Sequence, residues 1–317
     1  MPGPEEEVTV LTDASDPDRD AKSAQIDKPL YGILFLIATA AVQACADGAA
    51  KYLAQSLPVI EISWLRYIST VAAVLVALKV IGFRDGLRTT RPGFQFVRGF
   101  LLVISGLVFL FALRSAPIVD VTATIFSAPL MVTALSIALL GERVGPRRWL
   151  AAIVGLAGVL IVMRPGSSVF NPALLWAVLA ALLFAFGLVM TRKISGNERP
   201  IATMAYSAII GLAVLTVVVP FAWVTPTWTE AAIALAVGLI YASSQWFTIL
   251  AYRYADASVL APYSYFQIVF IAAIGIVFFR EVPDIWTVIG IAIIVASGLY
   301  TAQYERLRRA GLRRAKA

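Results

Sequence analysis

Long apolar runs, separated by proline, glycine and charged residues, recur along the chain from residue 30 onward. Ten of them predict membrane-spanning helices, at residues 30–53, 60–81, 96–113, 118–140, 149–163, 173–190, 201–223, 231–251, 258–279 and 285–303. Most have the roughly 20 residues that a helix needs to cross a hydrocarbon core of about 30 Å. The fifth run is the shortest. The pattern predicts an all-α polytopic protein of the lipid bilayer, with loops too short to hold a soluble catalytic domain.

Composition narrows the function further. Apolar residues make up 60% of the chain and charged residues 14%, whereas soluble domains average about 45–50% and 25%. The sequence has no histidine and one cysteine, Cys45. A disulfide framework, a Cys/His zinc site and histidine-based catalysis are therefore excluded. We expect no catalytic residue, no metal and no cofactor.

The basic residues predict the orientation of the spans. When the loops are assigned alternately to the two sides, 21 of the 26 Lys and Arg residues fall on one side, and the other side holds only Lys51, Arg66, Arg114, Arg164 and Arg280. The positive-inside rule then places both termini in the cytoplasm. Because topology accounts for the net charge of +7, no nucleic-acid partner is expected. Nor is an oligomer required.

Two segments lie outside the predicted spans. Residues 1–29 hold eight of the nineteen acidic residues and four prolines, and they predict a disordered cytoplasmic tail. Residues 305–317 predict a basic cytoplasmic tail.

The two halves of the chain match at an offset of 139 residues, with these pairs: Gly48 and Gly187, Ser105 and Ser244, Ala112 and Ala251, Arg114 and Arg253, Ala116 and Ala255, Glu142 and Glu281. Residues 30–164 and 171–304 are thus predicted to be two repeats of five spans. An odd number of spans inverts the second copy in the membrane, which is typical of alternating-access carriers. We assign Glu142 and Glu281 to helix-end contacts that couple the repeats, with gating as the alternative.

Several short strings carry a family resemblance: Trp-Leu-Arg-Tyr at 64–67, Ala-Leu-Arg-Ser-Ala-Pro at 112–117, Ser-Ala-Pro-Leu at 127–130, Leu-Leu-Gly-Glu-Arg at 139–143 and Gly-Leu-Ala-Gly-Val at 155–159. With the ten-span pattern they resemble the EamA-type exporters of the drug/metabolite transporter superfamily. By overall pattern the chain is most similar to the YddG-type aromatic amino-acid exporters. The resemblance implies export of amino acids, aromatic ones included, or of related small metabolites across a bacterial inner membrane.

Polar residues inside spans are expensive in lipid, so they are candidate site residues. Thr39, Gln43, Asp47 and Lys51 recur at intervals of four and form one stripe on the first span. Asp47 is the only carboxylate well inside a span. We expect it to receive a substrate ammonium or, if transport is coupled, a proton. The alternative is that Asp47 and Lys51 form a pair within the helix.

The candidate substrate-binding residues are Gln43, Asp47, Ser105, Phe109, Trp176, Tyr241, Ser244, Gln245, Tyr263 and Gln267. Polar substrate groups should fall mostly to the second half, and Phe109 and Trp176 should shape an apolar wall. The alternative for the hydroxyl and amide residues is hydrogen bonding between helices. For Arg66 a packing or headgroup role is favoured over contact with an anionic substrate.

Two other functions compete with amino-acid transport. A membrane enzyme acting on a lipid or isoprenoid needs a clustered acid, nucleophile or metal site, and only Cys45, Asp47 and Lys51 come near to one. A sugar-phosphate carrier needs several Lys or Arg residues in its cavity, and few lie inside the spans. The sequence therefore favours a carrier of small metabolites over an enzyme.

Overall fold

The computed structural model describes residues 29–140, 146–194, 198, 200–255 and 257–314, and the regular secondary structure in these ranges is all helical. The helices are α1 (Pro29–Leu53), α2 (Val59–Ile81), α3 (Phe83–Gly86), α4 (Pro92–Ser115), α5 (Ile118–Ile125), α6 (Ala128–Leu140), α7 (Pro146–Met163), α8 (Leu174–Ile194), α9 (Pro200–Val218), α10 (Trp228–Tyr254), α11 (Ala257–Leu260), α12 (Phe266–Phe279) and α13 (Ile285–Arg314). Glu142 and residues 1–28 of the predicted tail lie outside the described residues.

The helices follow the predicted spans. Within the described ranges, nine segments are long and apolar enough to cross a membrane, and the apolar part of α7, Trp149–Met163, is shorter. The all-α, multi-span prediction is confirmed, and the fifth span is the short one, as the run lengths indicate. Helix α13 continues beyond the predicted span to Arg314, into the basic segment.

Two of the spans are interrupted near prolines. The fourth consists of α5 and α6, and Pro129 lies in the first turn of α6. The ninth consists of α11, a 3₁₀ segment Ala261–Tyr265 that contains Pro262, and α12. Proline lacks the N–H group that continues the helical ladder, so each break leaves carbonyls that other groups must satisfy. At the first break the Ser127 hydroxyl donates to the Thr124 carbonyl at 2.6 Å.

The helices pack as two bundles, and α7 and α13 pack together beside them, where α7 contacts α5 and α6 and α13 contacts α5 and α11. In the first bundle α1 packs against α10 and α12, and α10 also packs against α2. In the second bundle α8 packs against α4, α5 and α6, and α4 also packs against α9. The bundles meet where α2 packs against α9 and α12 against α5. The interface between the bundles is therefore built from helices of both halves of the sequence.

Helices α7 and α13 pack against each other, and two glycines allow their close approach. A Cβ atom added to Gly158 would lie 2.9 Å from the carbonyl oxygen of Gly290, and one added to Gly290 would lie 2.7 Å from that of Gly158. Small residues at such positions are typical of helix contacts in membranes, because they let the backbones touch.

Glu198 ties two loops together at the end of the bundle where α1 begins. Its carboxylate accepts hydrogen bonds from the Thr90 backbone N–H at 2.8 Å, from the Thr89 and Thr90 hydroxyls at 2.9 Å each and from the Gln95 amide at 3.3 Å. Burial alone would raise the pKa of Glu198, but these donors outweigh it and hold the pKa below the ordinary value of 4.5.

This network predicts an acid-sensitive contribution to stability. A carboxylate with a depressed pKa stabilises the folded state above its unfolded pKa, and the contribution is lost as the pH falls through the folded pKa. The melting temperature of the wild-type protein in detergent should therefore fall more steeply below about pH 4.5 than that of Glu198→Gln. At pH 7 the variant should melt lower than the wild type. Parallel melting curves at every pH would contradict this role.

Candidate functional site

Asp47 and Gln267 meet inside the first bundle. The amide of Gln267 on α12 donates to Asp47 Oδ2 at 3.2 Å. Asp47 is half-buried and lies six residues before the end of α1, about 9 Å along the helix axis. Gly48 allows the approach of α12, since a Cβ atom there would lie 2.8 Å from the side chain of Ile274. The contact joins two of the predicted site residues, one from each half of the sequence.

Arg66 on α2 lies beside this contact. Its guanidinium lies over the rings of Tyr67 and Tyr241, 5.5 and 5.4 Å from their centroids, and the helices that carry Arg66 and Asp47 both pack against α10. On the second bundle it faces Gly106 of α4, where an added Cβ atom would lie 3.2 Å from Arg66 Nη2. We call Asp47, Arg66, Tyr241 and Gln267 the central cluster. It lies where the two bundles face each other.

The position of Arg66 fits one of the two roles favoured for it. A headgroup role would put the guanidinium at the membrane surface, but it packs on two aromatic rings between helices. The packing role predicted for Arg66 is present. Arg66 and Asp47 also place opposite charges on two helices that both pack against α10, and the sequence pattern alone does not reveal this arrangement. The available signal was that Arg66 is an ionisable residue within a predicted span.

Asp47 and Lys51 do not form the helical pair that was the alternative prediction. The Lys51 ammonium bonds instead to Glu281 Oε1 at 2.5 Å and to the Ala116 carbonyl at 2.8 Å. Asp47 lies well inside its span, as predicted, whereas Asp120 is the third residue of the span Ile118–Leu139. Asp120 on α5 is half-buried and accepts a hydrogen bond from the Thr287 hydroxyl at 2.8 Å.

Two serines of the predicted site serve helix packing. Ser105 on α4 is buried and donates to the Ala180 carbonyl on α8 at 2.8 Å. Ser244 on α10 is buried too, and its hydroxyl donates to the Tyr241 carbonyl at 2.7 Å. Its own carbonyl accepts from Thr39 of α1 at 3.4 Å. The bonds of Ser105 and Thr39 match the alternative prediction of hydrogen bonds between helices, whereas the Ser244 hydroxyl bonds within α10.

The other predicted residues divide between the neighbourhood of the cluster and more distant places. Gln43 and Gln245 are half-buried, one helical turn from Asp47 and Tyr241 respectively. Phe109 packs against both large apolar cores. Tyr263 is elsewhere, against the apolar group of Leu36, Ala251, Ala255 and Leu260.

The structure corrects the prediction that Trp176 shapes an apolar wall of the substrate site. Its side chain is 51% exposed, and its ring lies 6.5 Å from that of Phe111, which is 42% exposed. Phe111 is five residues beyond Gly106 on α4, about 140° around the helix from the face that meets Arg66. The structure therefore places Trp176 on the outer surface beside Phe111, away from the central cluster.

Comparison with known proteins gives a consistent result. Residues 30–164 and 171–302 each match the model of the EamA-like transporter family. An S-adenosylmethionine uptake transporter of Rickettsia felis is 30% identical over 277 residues, covering 87% of this chain and 94% of the relative. A riboflavin transporter of Vibrio cholerae is 30% identical over 288 residues, with the same coverage. The pseudopaline exporter CntI of Pseudomonas aeruginosa is 28% identical, covering 84% and 94%.

A protein of known crystal structure shares the fold, with a TM-score of 0.60 and 21% identity, over 90% of this chain and 99% of that one. The named relatives are transporters, not enzymes, and they come from bacteria. They support a multi-pass protein of the bacterial inner membrane that moves a small molecule. They do not favour the YddG-type aromatic amino-acid exporters over other members of the family. The chain belongs to the EamA-like transporter family.

Proposed function

We propose that this protein transports amino acids, or related metabolites that carry an α-amino acid headgroup, by alternating access. The observation that carries the proposal is the central cluster, in which the Asp47 carboxylate bonds to Gln267 and the Arg66 guanidinium packs on two tyrosine rings, on helices that both pack against α10. Asp47 would bind the substrate ammonium and Arg66 its carboxylate. Pairing with Asp47 and Arg66 would offset the free-energy cost of removing the two charges of the substrate from water.

The opposite bundle would supply an apolar wall. At the offset of 139, the counterparts of the four cluster residues are all apolar, namely Phe186, Ala205, Leu102 and Ala128. One bundle thus presents charged and polar groups, and the equivalent positions of the other present hydrocarbon. This asymmetry suits a substrate with a polar headgroup and an apolar body. It differs from the predicted division, because both charged residues come from the first half of the sequence.

The packing pattern supports an inverted repeat of five and five spans. Helix α1 on α10 and α8 on α4 are equivalent contacts at the offset of 139, as are α2 on α10 and α9 on α4. Exchange of the repeats would exchange the two bundles, so rocking of one against the other would open each end in turn. With both termini in the cytoplasm, the end at which α1 finishes would face outward.

The relatives bear on substrate class and direction. S-adenosylmethionine, which names one group of relatives, has an α-amino acid headgroup. The relatives include uptake transporters and an exporter, and alternating access permits either direction. We propose export for this chain, with aromatic amino acids among the substrates, because its ten-span pattern resembles such exporters.

The proposal predicts amino-acid flux through the purified protein. In liposomes preloaded with a labelled panel that includes phenylalanine, tyrosine, tryptophan and methionine, at least one amino acid should leave faster than from liposomes without protein. Unlabelled substrate outside should accelerate this efflux by exchange. S-adenosylmethionine and riboflavin should be included as alternative cargo. Riboflavin transport without movement of any amino acid would refute the proposed headgroup specificity.

A further inference from the structure

A polar junction holds the two bundles together at the end where α1 finishes, which we call the Lys51 end. Glu281 follows α12 of the first bundle, and its Oε2 accepts the backbone N–H of Ile118, the first residue of α5, at 2.8 Å. Lys51 of α1 bonds to Glu281 and to the Ala116 carbonyl. One ion pair of the first bundle therefore forms hydrogen bonds on both sides of the bend at Pro117 in the second bundle.

The backbone around Glu281 is built to present its carboxylate. Arg280 has a left-handed φ of 55°, and this turn lets the Glu281 N–H donate to the Gly275 carbonyl at 2.9 Å. A non-glycine residue in that region is strained, and such strain is found where a fixed geometry matters. Arg164, with φ of 48°, lines the same cavity of about 380 Å³ as Arg280 and Glu281.

The junction is mostly buried, with the Glu281 side chain 25% exposed. Lys51 is 5% exposed. Ala116, which bonds to Lys51, and Ile118, which bonds to Glu281, are buried. A charged hydrogen bond in such surroundings is worth more than a neutral one, and removing one partner leaves a buried polar group unsatisfied. The contact must nevertheless break if the first and second bundles separate at this end.

From this geometry we propose that Lys51 and Glu281 form the gate of the transport path at the Lys51 end, closed in this structure by their bonds to the Pro117 bend. The inference rests on the proposed alternating access. The opposite gate would be weaker, since the counterpart of Lys51 at the offset of 139 is Met190. The protein without substrate should therefore rest with the Lys51 end closed.

The test measures, in the absence of substrate, how fast a thiol reagent reaches a buried position behind the gate. Val119, next to Ile118, is 1% exposed. Val119→Cys is introduced into a Cys45→Ser background and labelled with a membrane-impermeant thiol reagent, in spheroplasts and in inside-out vesicles. Adding Lys51→Met or Glu281→Gln should accelerate labelling by about tenfold or more, because each removes at least one charged hydrogen bond.

The acceleration should appear from one membrane side only, the outer side under the proposed topology. Glu230→Gln is the matched control: it removes a carboxylate of the first bundle that bonds to Ser56 and Thr227, outside the junction, and labelling should not change. Rapid labelling of the unmodified gate, or equal rates in both gate variants and the control, would overturn the inference. Elution as a single species and a melting curve for each variant separate gate opening from unfolding. Because no substrate is present, failure of the amino-acid proposal leaves this outcome unaffected.

Discussion

Asp47→Asn is expected to reduce transport of the best amino-acid substrate by roughly 10- to 100-fold, the value of one lost hydrogen bond to a charged group. The carboxylate would attract the substrate ammonium, whereas the asparagine amide has no charge and offers one oxygen in place of two. Asparagine has nearly the same shape, and Gln267 can still bond to its oxygen, so the helix contact of α1 with α12 should survive. The loss should therefore appear in apparent affinity with little change in melting temperature.

An analogue of the same substrate that lacks the amino group makes the test specific. Its transport by the wild-type protein should be weak, and Asp47→Asn should narrow the difference between the two compounds. Cys45→Ser is the matched control, because Cys45 is an exposed residue on the same helix. An equal loss for both compounds would assign Asp47 to the structure of the bundle and not to the ammonium.

A second measurement separates the ammonium role from proton coupling. If Asp47 carries a proton during the cycle, an imposed proton gradient should accelerate transport by the wild-type protein and not by Asp47→Asn. If it binds only the ammonium, both proteins should respond to the gradient in the same way. Transport is compared with and without a gradient in the same liposome preparations.

The number and bounds of the spans could be predicted because each apolar run must be long enough to cross the bilayer, whatever its neighbours. Which helices pack together could not. The approach of α7 to α13 depends on Gly158 and Gly290, more than 100 residues apart, and neither stands out in an apolar run. The breaks near Pro129 and Pro262 could be predicted, since the missing N–H is a local property.

The candidate site also has features that the sequence could predict and features that depend on packing. The interval of four residues on the first span identified Asp47 and placed it on an interior stripe. It gave the wrong partner for Lys51, because Glu281 lies 230 residues away and reaches Lys51 only through the packing of α12 on α1. Trp176 was misplaced because aromatic residues in a span can face either lipid or protein. Packing was a favoured role for Arg66, but its tyrosine partner on α10 could not be predicted, because that contact is visible only in three dimensions.

Arg66→Gln should impair transport of the amino acid far more than transport of the corresponding amine, which lacks the carboxylate. A guanidinium can bind a carboxylate with two charged hydrogen bonds, and losing both should cost about 100-fold or more in apparent affinity, since one such bond is worth roughly 10- to 100-fold. Arg66→Lys keeps the charge but loses the planar contact with the Tyr67 and Tyr241 rings, so it should restore part of the activity.

Gly106→Ala provides a graded perturbation that leaves the guanidinium in place. The added methyl carbon would lie 3.2 Å from Arg66 Nη2, so the guanidinium must shift by a few tenths of an ångström. We expect a smaller loss of transport than for Arg66→Gln. As for that variant, transport of the amino acid should fall more than transport of the amine. If both substitutions reduce transport of the two compounds equally, Arg66 serves only the packing of α2 against the tyrosine rings. The ratio of amino-acid to amine transport, measured in the same liposomes, therefore decides between binding and packing.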